Sequence, residues 1–415
     1  MISSLHSVRL NQDLCIGCTN CIKSCPTEAI RVRNKKANII EGKCIDCGEC
    51  IRKCPEHAKK SVTSSLLEID KYKYKIALPA PSLYSQFGKN ADIGKILMSL
   101  KNCGFDHVFE VSKAADIVSD FTRDYIETSE ITPVISSSCP VVVRLIQIKF
   151  PNLIPNLLPF NPPVEVAAKA ARNNAMRDHG LKAEDIGIFF ISPCPAKVTT
   201  LKNPIGIEKS NIDGMISFTE IFPHIIKNMS EEKLPFYFSG KGIGWAKSGG
   251  ETSSLRINDY ICVDGIENVI NILHDIEEER LSAIQFAELL SCKNGCVGGV
   301  LTIENPFIAR SIIRQFTENY KDSEQSNSCG LMPEDTAFTK PIKKKCVNLF
   351  GKDIKVALEK MNEVKEIKKK LPSLDCGACG SPSCQVMAED IVLGETTLND
   401  CMVLFKEQFE KNDKE

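Results

Sequence analysis

An excess of charge of one sign is missing from this sequence, as are a leader-like apolar segment and any apolar run of membrane length. Lys plus Arg number 52 against 53 Asp plus Glu in 415 residues. No global field therefore draws nucleic acid or an acidic membrane surface. The opening MISSLHSVRL holds no apolar h-region and no small-residue cleavage site. The stretch from Leu153 to Ala171 is broken by Pro155, Pro159, Pro162 and Pro163, so it is not a membrane span. These absences lead to the expectation of a cytoplasmic protein with no nucleic-acid partner and no membrane insertion. Cysteine is abundant instead, with 20 copies, mostly in tight groups. Disulfides staple small secreted domains. In a chain long enough for two or three domains, cysteines in such groups point to metals or redox work.

Cysteine density divides the chain. Residues 1–62 carry two similar cysteine blocks, an internal repeat. Residues 63–345 are mixed. Strand-like runs such as Tyr74–Leu78 and Ile186–Ile191 alternate with helical patterns such as Ile93–Lys101 and Pro163–Met176, which suggests βαβ units around parallel or mixed sheets. Residues 321–345 are polar and read as a loop or linker. Ile354, Leu358, Met361, Val364 or Lys365, and Leu371 trace a helical stripe ended by Pro372, so 346–372 reads as a linker helix. The stripe is expected to pack; a relay helix to a partner is the alternative. The lysine runs 343–345 and 368–370 read as solvated faces. Residues 373–415 form a last cysteine-rich module.

Cys15, Cys18, Cys21 and Cys25 stand in CIGCTNCIKSCP, and Cys44, Cys47, Cys50 and Cys54 in CIDCGECIRKCP. Both blocks are C-x2-C-x2-C-x3-C-P, the bacterial ferredoxin run, in which the fourth cysteine serves the other cluster. One [4Fe–4S] cluster is therefore assigned to Cys15, Cys18, Cys21 and Cys54, and a second to Cys44, Cys47, Cys50 and Cys25. Structural zinc also takes four thiolates, but usually from separated CxxC pairs.

Cys376, Cys379, Cys384 and Cys401 follow a C-x2-C-x4-C-x16-C spacing. Soft thiolates in this pattern favour Fe–S or zinc. Gly377 and Gly380 are expected to let the backbone approach the metal, and Gln385–Gly394 to form a helix that returns Cys401 to the site. The segment resembles the small four-cysteine Fe–S domain of redox-complex subunits and corrinoid iron–sulfur proteins, which implies a [4Fe–4S] cluster.

The middle region holds Cys139 in ISSSCPVVVRL, Cys194 in FFISPCPAKV, and Cys292 and Cys296 in LLSCKNGCVGG. Each of the first two follows an apolar stretch and precedes a proline suited to the first helical position. Each thiolate would then sit at a helix N-terminus, where the dipole stabilises it. Gly295, Gly298 and Gly299 permit a tight turn beside a large ligand. From the pattern alone, two outcomes stay open: convergence on another cubane, or inert cysteines of the kind expected for Cys103, Cys262, Cys329 and Cys346.

The region from about residue 75 to 320 resembles the catalytic domain of [FeFe]-hydrogenases. ISSSCP resembles the family motif TSCCP, ISPCPAK resembles MPCTAK, and ELLSCKNGC resembles EFMACPGGC. CGFDHVFEVSKAADI, FPNLIPNL and WAKSGGE match flanking stretches. The resemblance implies that Cys139, Cys194, Cys292 and Cys296 ligate the [4Fe–4S] part of an H-cluster. It further implies that Cys296 bridges to a two-iron subsite bearing CO, cyanide and a dithiolate amine. Lys197 matches the family lysine that donates to a cyanide ligand, a role suited to a compact ammonium beside a buried anion. The activity implied is reversible reduction of 2H+ by two electrons to H2. The cofactor would carry the chemistry while the protein places and tunes it.

The sequence departs from that family along the proton path. Ser138 stands where the catalytic family has a cysteine; a thiol has a pKa near 8.5 and can release its proton, and a serine hydroxyl is far less acidic. ADIVSDFTRDY places Thr122 and Tyr125 where two relay glutamates are expected, with Asp120 and Asp124 out of register. Ser192 replaces a methionine, and Lys293 and Asn294 replace Pro-Gly. The metal ligands are intact, so the pattern resembles the divergent, sensory-type hydrogenases, which often carry this C-terminal module. No sensor domain follows before Glu415, so a signalling role is expected to need a separate partner.

Three functions follow: a ferredoxin-linked hydrogenase of low turnover, an H2 or redox sensor, or an Fe–S carrier without the two-iron subsite. The partners expected are a ferredoxin or other redox protein, H2 and protons. The expected fold is α/β: an α+β dicluster ferredoxin domain (1–62), a two-lobed α/β hydrogenase domain (63–345) with its site in a cleft, and a small helical Fe–S domain (373–415).

Overall fold

The repeat in the first sixty residues becomes two matching halves. The structure, a computed structural model, describes residues 6–235, 240–320, 333–345, 349–351 and 353–412. Strand β1 (Val8–Leu10), helix α1 (Asn20–Lys23), strands β2 (Ile30–Arg33) and β3 (Lys36–Ile39), helix α2 (Glu49–Arg52) and strand β4 (Lys59–Ser61) open the chain. In each half a cysteine loop leads into a one-turn helix that holds the third cysteine, Cys21 or Cys50, and the fourth cysteine and its proline precede a strand. β1 pairs antiparallel with β4, and β2 with β3. Val8, Ile22, Ile30, Val32 and Ala37 form the small apolar core, in contact with Cys21 and Cys50.

The large middle region is built of β5 (Tyr74–Pro79), α3 (Ile93–Asn102), β6 (His107–Val108), α4 (Val111–Thr128), β7 (Val134–Ile135), α5 (Pro140–Lys149), α6 (Pro163–His179), β8 (Ile186–Ser192), α7 (Pro195–Lys202), β9 (Gly214–Ser217), α8 (Phe218–Lys227), α9 (Gly240–Gly244), α10 (Gly250–Leu255), β10 (Tyr260–Asp264), α11 (Ile266–Glu277), β11 (Phe286–Leu290), α12 (Pro306–Asn319) and α13 (Pro333–Thr336). Two parallel sheets result, in the orders β6-β5-β8-β9 and β10-β11-β7. β5 and β8 pair over six residues, from Tyr74 with Ile186 to Pro79 with Ile191. β8 is buried along its whole length, which suits the continuous apolar run of a parallel strand covered on both faces. Pro140, Pro163 and Pro195 each sit at a helix start, where the missing N–H costs nothing.

Helices α14 (Ile354–Lys370), α15 (Cys384–Val392) and α16 (Met402–Asn412) close the chain. Asp353 caps α14 and Ser383 caps α15 through their side chains. Val364, Ile367 and Leu371 pack with Met387 and Ala388 around Cys384 and Cys401. The expected packed stripe on α14 is only half right. Ile354, Leu358 and Met361 remain 75, 55 and 49 % exposed, because α15 meets only the C-terminal half of the helix.

The linear partition expected from the sequence also changes. Residues 8–61 and 345–415 form one compact unit, and residues 62–344 form another. Within the polar 321–345 segment, Pro333–Thr336 is helical; residues 321–332 lie outside the described residues, as does Cys346. Among the described residues, no helix is long and apolar enough to cross a membrane.

Candidate metal centres

In the unit of residues 8–61 and 345–415, the cysteines gather in sets. Cys15, Cys18, Cys21 and Cys54 line one cavity together with Val32 and Lys59. Burial pushes the Cys21 thiol up, and the neighbouring Cys18 and Cys15 push it further. Cys47 is raised first by burial and then by Cys25, Cys50 and Cys44. Burial, followed by Cys25 and Cys21, pushes Cys50 up to about 12. Crowded buried thiols of this kind give up their protons to a metal rather than to water. Backbone N–H groups already point at several sulfurs. Ala29 donates to Cys25 at 3.2 Å and Ala58 to Cys54 at 3.3 Å, in the same four-residue step of each half. Such bonds tune a cluster's potential.

Lys59 tests whether the residues fit a cluster. It is 2 % exposed, and its Nζ has no hydrogen-bond partner among the described residues. A buried ammonium without a counter-charge is costly. Its charge lowers the pKa of both Cys21 and Cys50, so it faces both cysteine sets. An anionic thiolate cluster is the counter-charge this position lacks.

In the last module, burial raises the Cys379 thiol, Arg33 opposes this, and Cys401 and Cys376 add to it. Cys384 starts α15 and shares the apolar core with Cys379 and Cys401; its N–H donates to Asp375 at 2.6 Å. The close approaches of Gly377 and Gly380 are to neighbouring chain, Lys23 and Val32, rather than to the metal site alone.

The middle region collects its cysteines at the C-terminal ends of parallel strands. Cys139 follows β7 and caps α5, while Cys194 follows β8 and caps α7. Cys292 and Cys296 lie in the loop after β11. Ligand sites of open α/β sheets lie at this edge. Two contacts join the loops: the Leu301 N–H donates to the Pro193 carbonyl at 3.0 Å, and Val297 donates to Ala246 at 3.0 Å. Gly295 (φ +85°) leaves no room for a side chain, since a Cβ there would meet the Ser248 nitrogen at 2.5 Å. WAKSGGE is thereby pressed onto the Cys292–Cys296 turn, which the Gly295 N–H closes on the Cys292 carbonyl.

Cys139 and Lys197 lie near enough to act on both Cys194 and Cys296. Burial raises Cys194, Cys139 raises it further, and Lys197 opposes. Burial pushes Cys296 up to about 12, with Cys194 and Cys139 next and Lys197 again opposing. The Cys296 side chain keeps accessible surface. Lys197 donates from Nζ to the Ser138 carbonyl at 3.3 Å. Lys197 and Ser138 also line a cavity with Ser137, Thr200, Ile205 and Phe338.

The residues matched to the proton relay are not linked. Thr122 is buried, and its hydroxyl has no partner among the described residues. Tyr125 packs edge-on against Phe160, 5.7 Å between centroids, and exposed Asp120 pairs with Arg123 at 2.8 Å. Ser192 is buried and accepts the Cys194 N–H at 3.3 Å. Of the cysteines expected to be inert, Cys262 shares a hydrogen with Ser248 at 3.1 Å and Cys103 accepts from Asn228 at 3.7 Å. Cys329 lies outside the described residues.

Among the buried carboxyls that escaped the sequence reading, two lie beside the segment that ends at Cys139. Glu251, in α10, accepts the Ser136 hydroxyl at 2.6 Å, and its other oxygen has no partner among the described residues. Glu288, in β11, accepts from Gly249 N at 2.9 Å, Thr252 N at 2.8 Å and Thr252 Oγ1 at 3.0 Å. Burial holds the Glu251 carboxyl well above the usual range, and Glu288 adds to the shift. Burial raises Glu288 as well, opposed by its Thr252 and Gly249 bonds. The Ser136 oxygen also accepts the Ser138 N–H at 3.3 Å. A chain of polar atoms therefore runs from Glu251 to the residue beside Cys139. The only sequence signal was position: Glu251 follows the glycine pair of WAKSGGE, and Glu288 precedes Cys292 by four.

The family model of the iron only hydrogenase large subunit, C-terminal domain, matches residues 73–256; it stops before Cys292. A 4Fe-4S dicluster model matches residues 7–55 and an Fe–S cluster model residues 371–403. Iron hydrogenase 1 of Clostridium pasteurianum is 24 % identical over 373 residues, covering 71 % of this chain and 64 % of that protein. The NADP-reducing hydrogenase subunit HndD of Solidesulfovibrio fructosivorans is 21 % identical over 361 residues, 72 % and 57 % respectively. The chain spans less than two thirds of the length of these relatives. A variant of the HydA1 protein from Chlamydomonas reinhardtii superposes with a TM-score of 0.52 at 14 % identity, over 68 % of this chain and 98 % of that one.

Proposed function

We propose that the chain is a divergent, iron–sulfur member of the [FeFe]-hydrogenase-like family and that it interconverts protons, electrons and H2. Cys139, Cys194, Cys292 and Cys296 would hold the [4Fe–4S] part of the H-cluster. The two-iron subsite, when bound, supplies the exchange of two protons and two electrons for H2. The observation that supports this reading is that Cys139, Cys194 and Cys296 follow strands of two different sheets, with Cys139 and Lys197 near enough to act on both Cys194 and Cys296.

The chain's own residues would serve that group in three ways. Helix dipoles at Cys139 and Cys194 favour their thiolates. The Lys197 ammonium, anchored on the Ser138 carbonyl, balances an anionic ligand in a site where an unpaired charge is costly. Burial favours the neutral form of the Glu251 carboxyl, so it would store a proton beside the Ser136 hydroxyl, which the Ser138 N–H holds in place. Electrons would enter through the cysteine sets of residues 15–54 from a ferredoxin or similar redox protein.

A second reading, an H2 or redox sensor with little turnover, is favoured by Thr122, a buried hydroxyl where the family pattern calls for an acid. An Fe–S carrier without the two-iron subsite is the third. Protein matured with its two-iron subsite and assayed for H2 evolution from a reduced dye separates them. Infrared bands of metal-bound CO and cyanide with steady H2 evolution support the enzyme. The same bands with negligible evolution support the sensor, and a full iron complement without those bands supports the carrier.

A further inference from the structure

The last cysteine module is 359 residues from β2 where Asp390 and Arg31 meet, yet its cysteine loop is built directly onto that strand. Gly380, adjacent to Cys379, accepts the Val32 N–H at 2.8 Å. A Cβ at Gly380 (φ +82°) would lie 1.9 Å from the Val32 carbonyl oxygen, so only glycine permits the approach. Arg33 donates to the Cys379 carbonyl at 3.0 Å and to the Ser381 hydroxyl at 2.8 Å. Lys23, two residues after Cys21, donates to the Asp375 carbonyl at 2.6 Å, next to Cys376.

A buried carboxylate fixes the register. Asp390 is 4 % exposed. It receives Arg31 Nε at 2.7 and 2.9 Å, Arg33 at 2.8 Å and Ser381 at 2.8 Å. Buried charges are costly unless geometry and hydrogen bonds are complete. Here the carboxylate's own bonds are complete, and two arginines of one strand hold a single position on α15. A module merely tethered to its neighbour would need no such device.

Val32 joins the two cysteine sets. Its backbone binds Gly380, and it also lines the cavity of Cys15, Cys18, Cys21 and Cys54. We propose that the C-terminal cluster and the cluster of Cys15, Cys18, Cys21 and Cys54 exchange electrons directly across Val32, making the last module a redox branch of the dicluster domain. The step moves one electron. The donor core goes from [4Fe–4S]1+ to [4Fe–4S]2+, the acceptor core makes the reverse change, and no bond or proton moves. Because Cys376 is exposed, with Leu374 exposed beside it, an external one-electron donor of the reduced iron–sulfur class can reach this branch. Electron-transfer rates fall exponentially with the gap, so a contact one residue thick is the feature that matters.

The proposal rests on the reading of Cys376, Cys379, Cys384 and Cys401 as iron ligands, and iron analysis tests that part separately. The full chain, reconstituted anaerobically with iron and sulfide and reduced with dithionite, is compared by EPR with the Cys376→Ala/Cys379→Ala variant. The expected result is a loss of one cluster's iron together with a several-fold fall in the microwave power that half-saturates the remaining clusters, because a neighbouring spin has gone. An iron loss with unchanged saturation overturns the exchange pair and leaves the ligand assignment standing. Unchanged iron overturns both. In Arg33→Ala, which keeps every cysteine and the Arg31–Asp390 pair, iron stays constant and the half-saturation power falls; constant power there also contradicts the proposal.

Discussion

Ser136 donates its hydroxyl to Glu251 at 2.6 Å, from a residue that continues the pairing of β7 with β11. The Ser136 N–H donates to Ala287 at 3.0 Å, the residue before Glu288. The strand pairing thus brings Glu288, and the turn into α10 brings Glu251, to the segment that ends at Cys139.

Replacing either glutamate removes a proton-holding group and leaves the cysteines intact. Glu251→Gln is expected to lower H2 evolution by about 10²–10⁴-fold, the usual range for a general acid–base group. The infrared and EPR signatures of the bound clusters should stay unchanged. Full activity in this variant would remove Glu251 from the path.

The same carboxyl makes stability depend on pH. Its folded pKa is raised by burial, so above the unfolded value of about 4.3 the native state binds more protons than the unfolded state. Stability therefore falls as pH rises from there towards the folded pKa. Glu251→Gln should flatten this fall in chemical denaturation carried out above the unfolded carboxyl pKa. A slope equal to that of the parent protein would contradict the assignment.

Lys59 supplies a positive charge facing both N-terminal cysteine sets. Lys59→Met keeps most of the volume and removes the charge, so adding an electron becomes harder. Reduction potentials of the N-terminal clusters should drop, as cluster potentials follow local charge and hydrogen bonds. EPR-monitored redox titration reads this directly, and unchanged or higher potentials would refute it.

Asp390→Ala leaves Arg31 buried and unpaired. Breaking a buried ion pair from one side typically costs about 3–5 kcal/mol. Denaturant titration followed by cluster absorbance should show the unit of residues 8–61 and 345–415 weakened by an amount of that order, with the spectrum of the middle region unaffected.

The cysteine sets were legible because a thiolate every third residue has few other uses, and the proline after each run marks the exit. β8 was legible because Ile186–Ile191 holds no polar side chain. Cys139 and Cys194 could be placed at helix starts from the proline that follows each. The pairing of Ser136 with Glu251 could not be read, because it depends on the register between β7 and β11 and on the turn that positions α10. Arg31 and Asp390 carry no local signal either, since a charge 359 residues away determines whether each is buried. On α14, periodicity identified the apolar stripe but not where α15 stops covering it, so Ile354, Leu358 and Met361 were expected inside and are outside.

The most direct test of the central claim is anomalous X-ray scattering at the iron edge from crystals of the full chain with its clusters loaded. The account predicts a compact iron peak among the sulfurs of Cys139, Cys194, Cys292 and Cys296, with the Lys197 ammonium facing the same cavity. Iron at the N- and C-terminal cysteine sets with none among these four would contradict it.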